Sequence, residues 1–258
     1  MRLEWMLALA LAVLPVQAKV LRVCAGENEM PYSNREQQGF ENAIAKELAV
    51  ALGWPLEFVW WQDGRFVVRE LERGRCDLIV GADPDDARLA TSRPYYRSGW
   101  VFVARKGESF SLQRLKTAAK IAFPGNSPAE ALVRAAGRYA DWFLYLHELV
   151  DFKSRRNQYV RWEPKRLVEE VASGRADGAL LWGPEAARYV KANPQLAMQL
   201  LPLGLTDHRG QPIKVRYAVA LGVRKGEDAL LAKLEQALAR KQKAIERILR
   251  QEGVPLLP

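Results

Sequence analysis

The sequence predicts a two-lobed α/β protein with mixed sheets flanked by helices and two crossover strands that form a hinge. Three features indicate this fold class. The chain opens with alternating strands and helices, a Gly-Arg-x-Asp unit recurs about 100 residues later, and two long extended segments end in the same Lys-Gly pair. No low-complexity linker interrupts the chain, so we expect a hinge made of strands.

The first residues are typical of an export signal. An apolar run from Met6 to Val16 ends in the small-residue pattern Val-Gln-Ala, which suits cleavage after Ala18. The run is shorter than the roughly 20 residues that span a hydrocarbon core. We therefore predict a signal peptide at 1–18, a periplasmic protein and no later membrane span. An uncleaved anchor is the alternative, because Glu4 departs from a basic leader.

The first lobe follows from hydrophobic periodicity and turn chemistry. Short β-branched runs predict strands, and apolar residues at helical spacing predict helices that end at glycines. The predicted elements are a strand at Val20–Ala25, a helix from about Glu41 to Gly53, a strand at 55–61, a helix at Phe66–Arg73 and a strand at Cys76–Val80.

A second α/β unit repeats the form of the first. LERGRCDLIVG at 71–81 matches VASGRADGALLWG at 171–183. In each, a glycine suits a left-handed helix cap and an aspartate begins a buried strand. Between them, KIAFPGNSP predicts a strand and turn that lead into the helix AEALVRAAG.

The extended segments 95–107 and 217–226 set the domain boundaries, since they carry the chain out of lobe 1 and back. The C-terminal stretch Asp228–Glu252 has the pattern of a long amphipathic helix, with a break predicted near Arg240. The resulting organisation is lobe 1 at 19–107, lobe 2 at 108–205, and a return to lobe 1 at 206–258.

The two cysteines, Cys24 and Cys76, are expected to form a disulfide between the first and third strands of lobe 1. They are the only cysteines in a chain predicted to enter an oxidising compartment. A metal site would need more ligands than these. The alternative is a pair of small buried core residues.

The formal net charge of +9 narrows the class of partner. An exported protein rarely meets nucleic acid, so this charge favours an acidic protein, an anionic ligand or a membrane surface. A solvated basic surface fits the composition equally well.

Patterns typical of enzymes do not stand out. The histidines are His147 and His208, and neither belongs to a Ser/His/Asp or Cys/His arrangement. The neighbouring acids Asp85 and Asp86 are typical of a solvated turn. We expect a monomeric protein that is not an enzyme and has no cofactor or metal site.

Eight segments in order resemble one family. They are RVCAGENEMPYSN, GFENAIAKELA, WWQDGRFVVREL, GRCDLIVGA, RPYYRSGWVFV, DGALLWGP, YAVALGVRKGEDAL and EGVPLLP. Together they resemble the quinoprotein-dehydrogenase-associated subfamily of the type II periplasmic solute-binding proteins, which includes the J proteins of methanol dehydrogenase systems. The resemblance covers nearly all of the chain after residue 18, is weakest at 138–164, and implies a ligand cleft between two lobes.

The resemblance implies an accessory protein that docks on a periplasmic quinoprotein (methanol or other alcohol) dehydrogenase and assists its maturation or activation. The alternative is a receptor that delivers a small anionic or amino-acid-like metabolite to an ABC permease. The receptor needs a small ligand that stabilises it by mass action, whereas the accessory protein needs a protein partner.

Amino-acid-binding relatives imply two cleft positions. Their arginine before the Pro-Tyr of the fifth strand grips a carboxylate, and here Arg88 precedes Pro94 by six residues, closer than usual. A surface role for Arg88 fits equally. Their late lobe-2 carboxylate, which receives the ligand ammonium, is replaced by Trp182. An indole offers at most a cation–π face, and packing between strand and helix is the alternative.

Further candidates come from the loops and strand ends. Gly125, Asn126 and Ser127 begin a helix whose free backbone N–H groups suit an anion, although Ser127 also suits an N-cap. Aromatic residues near strand ends suit a cleft or docking surface, and Trp54 and Trp60 are assigned to the core. The remaining cleft or partner candidates are Asn28, Tyr32, Trp61, Arg65, Tyr95, Tyr96 and Trp100.

Overall fold

The computed structural model describes residues 19–61, 67–150 and 162–258. It confirms the predicted α/β class, with helices on both sides of a curled mixed sheet. The strands are β1 Leu21–Gly26, β2 Asn28–Glu29, β3 Ser33–Asn34, β4 Leu56–Trp61, β5 Leu78–Ala82, β6 Leu89–Thr91, β7 Tyr96–Arg105, β8 Ile121–Ala122, β9 Gly178–Trp182, β10 Leu196–Leu200 and β11 Arg216–Arg224. The helices are α1 Phe40–Leu52, α2 Val67–Glu72, α3 Leu112–Thr117, α4 Pro128–Ala135, α5 Tyr139–Glu148, α6 Pro164–Ala172, α7 Gly183–Lys191 and α8 Asp228–Glu252.

The sheet runs in the order β4-β1-β5-β11-β7-β9-β8, with β6 beside β11 and β10 beside β7. Strands β4, β1 and β5 are parallel, because α1 and α2 provide the crossovers that parallel strands require. The parallel pair β8 and β9 repeats this arrangement in the second lobe. The predicted opening and its later repeat are therefore confirmed.

Two long strands form the hinge, as predicted. Strand β7 pairs with β11 over Tyr96–Gly99 and then, from Trp100 onward, with β9 and β10. Strand β11 pairs with β7 over Arg216–Val219 and then, from Ala220 onward, with β5 and β6. Each strand thus begins or ends in one lobe and continues into the other.

Buried apolar side chains form one main cluster in each lobe, which is the dominant stabilising contribution in such a fold. The first-lobe core lies between the sheet and the helices α1 and α8. The second-lobe core surrounds β7, β8 and β9. Large members are Phe40, Ile44, Leu48, Leu221 and Leu234 in the first core, and Trp100, Phe102, Phe123, Leu132, Trp142 and Leu180 in the second.

The disulfide between Cys24 and Cys76 is confirmed, with a Cα–Cα distance of 5.4 Å. Both residues are buried in a third, smaller cluster that also holds Val68, Leu71 and Ile79. The bridge ties β1 to the segment that enters β5.

Helix ends follow the predicted glycines. Gly53, Gly74 and Gly174 have φ values of 67°, 71° and 76°, the left-handed region in which glycine is least strained. The predicted break near Arg240 is wrong, since α8 is one continuous helix. Neither glycine nor proline interrupts it, and its buried face continues past Arg240 through Ile245.

The assignment of Trp54 and Trp60 to the core needs correction, because both are only half-buried. Trp54 packs at the margin of the first-lobe core, and the ammonium of Lys19 lies 5.0 Å from its ring centroid. Trp60 stacks on Phe58 with 5.2 Å between ring centroids. Their exposure follows from the edge position of β4, whose outer side has no neighbouring strand among the described residues.

Within the described ranges, no helix has the length and apolar character needed to cross a membrane. The same ranges hold no group of three His, Cys, Asp or Glu side chains placed to bind a metal ion. The predicted signal peptide lies outside the described residues.

Candidate interlobe site

Three predicted cleft residues, Tyr32, Tyr95 and Tyr96, lie together on the first lobe. The rings of Tyr95 and Tyr96 meet edge-on with centroids 5.1 Å apart. The hydroxyl of Tyr95 donates to the carbonyl oxygen of Val80 at 3.1 Å. Tyr32 and Tyr96 both lie within electrostatic range of Glu185, at the start of α7. Because α7 belongs to the second lobe, this cluster stands where the lobes meet.

Glu41, in the first turn of α1, completes the cluster. Although part of the residue contacts water, its carboxyl group turns onto Gly81, where an added Cβ would lie 2.1 Å from Oε1 of Glu41. Burial and, to a smaller extent, the nearby Glu29 together raise the pKa of Glu41 to about 8. Glu41 is therefore predominantly protonated at neutral pH.

The same buried environment changes the pKa of the three tyrosine hydroxyls. Burial raises the pKa of the Tyr32, Tyr95 and Tyr96 hydroxyls well above their usual range, and neighbouring ionisable groups add to the effect. All three remain neutral phenols. The site can offer hydroxyl hydrogen bonds and aromatic surface, while Glu41 contributes a neutral carboxyl group that can donate as well as accept.

Trp182 lies beside the hinge strand β7. It ends β9 and lies opposite Trp100 in the β7–β9 ladder. Its indole meets the ring of Tyr217 edge-on, with centroids 5.7 Å apart, and packs against the second-lobe core. The ammonium of Lys214 lies over the ring of Tyr217, 4.8 Å from its centroid. The indole therefore packs against a hinge strand, and a cation–π role for it stays a prediction.

The loop Gly125–Ser127 is closed by contacts of its own helix, α4. The hydroxyl of Ser127 accepts from the backbone N–H of Glu130 at 3.4 Å, which confirms the predicted N-cap. The carboxylate of Glu130 accepts from the backbone N–H of Asn126 at 2.7 Å. A side-chain carboxylate thus takes up an amide that was predicted to suit an anion.

The other predicted residues lie apart from the tyrosine cluster. Arg88 is exposed, and its guanidinium forks onto Asp86 with contacts of 2.9 and 2.6 Å. This contact lowers the pKa of Asp86 to about 2 and favours the surface role for Arg88. Asn28 pairs within the short β2–β3 hairpin. Trp61 ends β4, and its indole N–H has no acceptor among the described residues. Arg65 lies outside the described residues.

Side chains of α7 join the two lobes directly. Arg188 forks onto Glu252 at the end of α8, with both contacts 2.6 Å long. It also donates to the carbonyl oxygen of Gln38 at 2.8 Å. Lys191 donates to the carbonyl oxygen of Gln251 at 2.5 Å. These contacts hold α7 of the second lobe against the first lobe.

The C-terminal residues reinforce this junction. The carbonyl oxygen of Pro255 accepts from the hydroxyl of Ser98 on β7 at 2.8 Å. Gly183, the first residue of α7, packs so closely that an added Cβ would lie 2.6 Å from Cγ of Pro255 and 2.7 Å from the carbonyl oxygen of Gly99. The C-terminal segment therefore occupies the angle between hinge and α7.

We expect Arg188→Ala to lower the free energy of unfolding by about 1–3 kcal/mol, because it leaves the half-buried Glu252 without its charged partner. The matched change Arg250→Ala removes an exposed pair with Glu246 and should cost at most about 0.5 kcal/mol. Urea denaturation of both variants checks the difference. Equal losses would show that the interlobe pair contributes no more than a surface pair.

Glu41, Glu185 and Arg188 could not be identified as site residues from the sequence. Each lies in a helix, where an acid in the first turn or a base in the last turn is explained by the helix dipole alone. The only local signal for Glu41 is its place directly after Phe40, on a helix whose neighbouring apolar residues face the core.

The chain matches a known protein family and two curated relatives. Residues 21–251 match the bacterial extracellular solute-binding proteins, family 3. The chain is 40% identical to protein MoxJ of Methylorubrum extorquens, over 93% of this chain and 83% of that protein. It is also 40% identical to protein MoxJ of Paracoccus denitrificans, over 92% and 89% of the two chains.

Solved structures agree with this placement. The crystal structure of MxaJ from Methlophaga aminisulfidivorans has a TM-score of 0.86 and 42% identity, and the match covers 92% of this chain and all of that one. That of XoxJ from Methylobacterium extorquens has a TM-score of 0.65 and 28% identity, over 92% and 99%. The resemblance to type II binding proteins of the MxaJ and XoxJ kind is thus confirmed, and the chain belongs to the bacterial extracellular solute-binding proteins, family 3.

Proposed function

We propose that this protein is a periplasmic accessory protein of a quinoprotein (methanol or other alcohol) dehydrogenase, which docks on that enzyme and assists its maturation or activation. The observation that carries the proposal is the similarity to MoxJ and MxaJ along more than nine-tenths of the chain. In this proposal the protein is an exported monomer without catalysis or cofactor, with lobes at 19–107 plus 206–258 and at 108–205.

The interlobe site supports protein recognition more than amino-acid capture. Trp182 stands where amino-acid-binding relatives are expected to carry a carboxylate, and its indole is already packed against Tyr217. Glu41 is predominantly neutral at pH 7 and is a poor substitute for that carboxylate. A free amino acid would therefore lose its main cationic contact in this site.

Calorimetric titration against the twenty amino acids should give no binding at micromolar concentration. A parallel titration against the cognate methanol dehydrogenase should give an association that weakens as salt rises, because the chain carries a net charge of +9. Micromolar binding of an amino acid without dehydrogenase association would reject the proposal and favour a receptor for an ABC permease.

A further inference from the structure

The last helix carries an exposed row of cations. Their intervals along α8 are seven, three, four and three residues, so they fall on one side of the helix. All are exposed to solvent. We call this row the α8 basic stripe; its members are Lys233, Arg240, Lys243, Arg247 and Arg250.

The middle of the stripe is not neutralised within the protein. Arg240, Lys243 and Arg247 make no hydrogen bond or ion pair with any residue that the structure describes, whereas Arg250 pairs with Glu246 at 2.7 Å. Lys243 and Arg247 are four residues apart, a spacing at which like charges destabilise a helix. Helix stability therefore does not explain this arrangement, and an acidic surface would relieve its repulsion.

The stripe reaches the junction between the lobes. A shallow groove of about 350 Å³ separates its C-terminal half from Lys191 of α7. Because Lys191 belongs to the second lobe and contacts Gln251 of α8, a partner in this groove would touch both lobes. The groove is lined by Lys191, Lys243, Glu246, Arg247, Arg250 and Gln251.

We infer that the α8 basic stripe is the surface on which the protein docks, and that its partner presents a row of carboxylates there. This inference rests on the proposed function, and it assigns the acidic row to the dehydrogenase. Complementary charges of this kind steer association and raise its rate, and added salt weakens them. The groove places the contact where docking also bridges the two lobes.

A protein fits the stripe better than a membrane does. A helix that binds at a bilayer surface inserts an exposed apolar face between lipids. The large apolar side chains of α8, such as Leu234, Ile245 and Leu249, are buried in the first-lobe core. The exposed large apolar residues among those described are Val20, Val50, Leu112, Phe143 and Leu203, none of which lies on α8.

The test compares two triple charge reversals in the full mature chain. The first is Arg240→Glu, Lys243→Glu and Arg247→Glu within the stripe. The second, a control with the same change in net charge, is Lys106→Glu, Lys116→Glu and Lys225→Glu at exposed positions elsewhere. Surface-immobilised association with purified cognate methanol dehydrogenase is measured at about 20 mM and about 200 mM salt, after thermal unfolding has shown that both variants fold.

We expect the stripe variant to bind about 10- to 100-fold more weakly than wild type at low salt, with most of the change in the association rate. The control should weaken binding by less than about 5-fold, and the difference between them should shrink at high salt.

Three other outcomes would overturn the inference. If wild type binds and the two variants weaken equally, the docking function stands and the assigned surface is wrong. If wild type shows no association with the dehydrogenase, both the function and the surface are wrong. If wild type instead binds vesicles containing about 30% phosphatidylglycerol, and the stripe variant does not, the stripe serves a membrane.

Discussion

Replacing both Cys24 and Cys76 with alanine should lower the free energy of unfolding by about 4 kcal/mol. The bridge joins residues 52 positions apart, so it removes a large amount of conformational entropy from the unfolded chain. In the folded state its effect is local, since it only links β1 to the segment entering β5. Most of the loss should therefore come from the unfolded state.

Urea denaturation of wild type and variant under non-reducing conditions measures this loss. Wild type treated with reductant is the matched control, because reduction removes the constraint and keeps both sulfur atoms in the cluster with Leu71 and Ile79. Reduced wild type should lose most of what the variant loses. A variant loss below about 1 kcal/mol would show that the covalent link contributes little.

The fold could be predicted because its signals are local. Left-handed glycines at Gly53, Gly74 and Gly174 fix helix ends, and short apolar runs between them fix the strands. The hinge was also predictable, since β7 and β11 are the two long extended segments of the chain. Element boundaries differ from the predicted ones by one or two residues.

The interlobe site was only partly predictable, because its contacts connect distant parts of the chain. Arg188 meets Glu252 across 64 positions, and nothing near either residue identifies the other. Tyr32, Tyr95 and Tyr96 were recognised as candidates from their loops and strand ends. Glu41, which lies near all three, and Glu185, which lies near Tyr32 and Tyr96, are visible only in three dimensions.

Assigning functional roles by analogy with amino-acid-binding relatives was least reliable where the residue spacing in this chain differs from theirs. Arg88 lies only six residues before Pro94, and the structure directs its guanidinium to Asp86, two residues earlier. With this short spacing, the carboxylate of Asp86 is closer to the Arg88 guanidinium than a ligand in the cleft would be. The packing of Trp182 on Tyr217 depends on hinge pairing between β7 and β11, which local sequence does not specify.

The stability of the protein should fall as pH rises from about 5.5 to 8.5. Burial raises the pKa of Glu41 from its ordinary value of 4.5 to about 8. Between these values the unfolded chain has released a proton that the folded chain keeps, so folding binds a proton and is opposed by rising pH. The contribution of protonated Glu41 to the free energy of unfolding is fully present below about pH 4.5 and is lost as pH rises through about 8. Because part of Glu41 contacts water, solvent screens this effect. We therefore expect the free energy of unfolding to fall by only about 2–3 kcal/mol over this pH range.

Glu41→Gln should flatten this profile, since an amide keeps the hydrogen-bonding shape of the protonated carboxyl group and cannot ionise. The variant should be more stable than wild type at pH 8.5 and close to it at pH 5.5. Glu36→Gln, at an exposed position, is the control and should follow the wild-type profile. The measurement is urea denaturation of all three proteins at half-unit pH intervals. Subtracting wild type from each variant removes the contribution of every titratable group that the proteins share. Parallel profiles for wild type and Glu41→Gln would show that Glu41 is ionised in the folded protein.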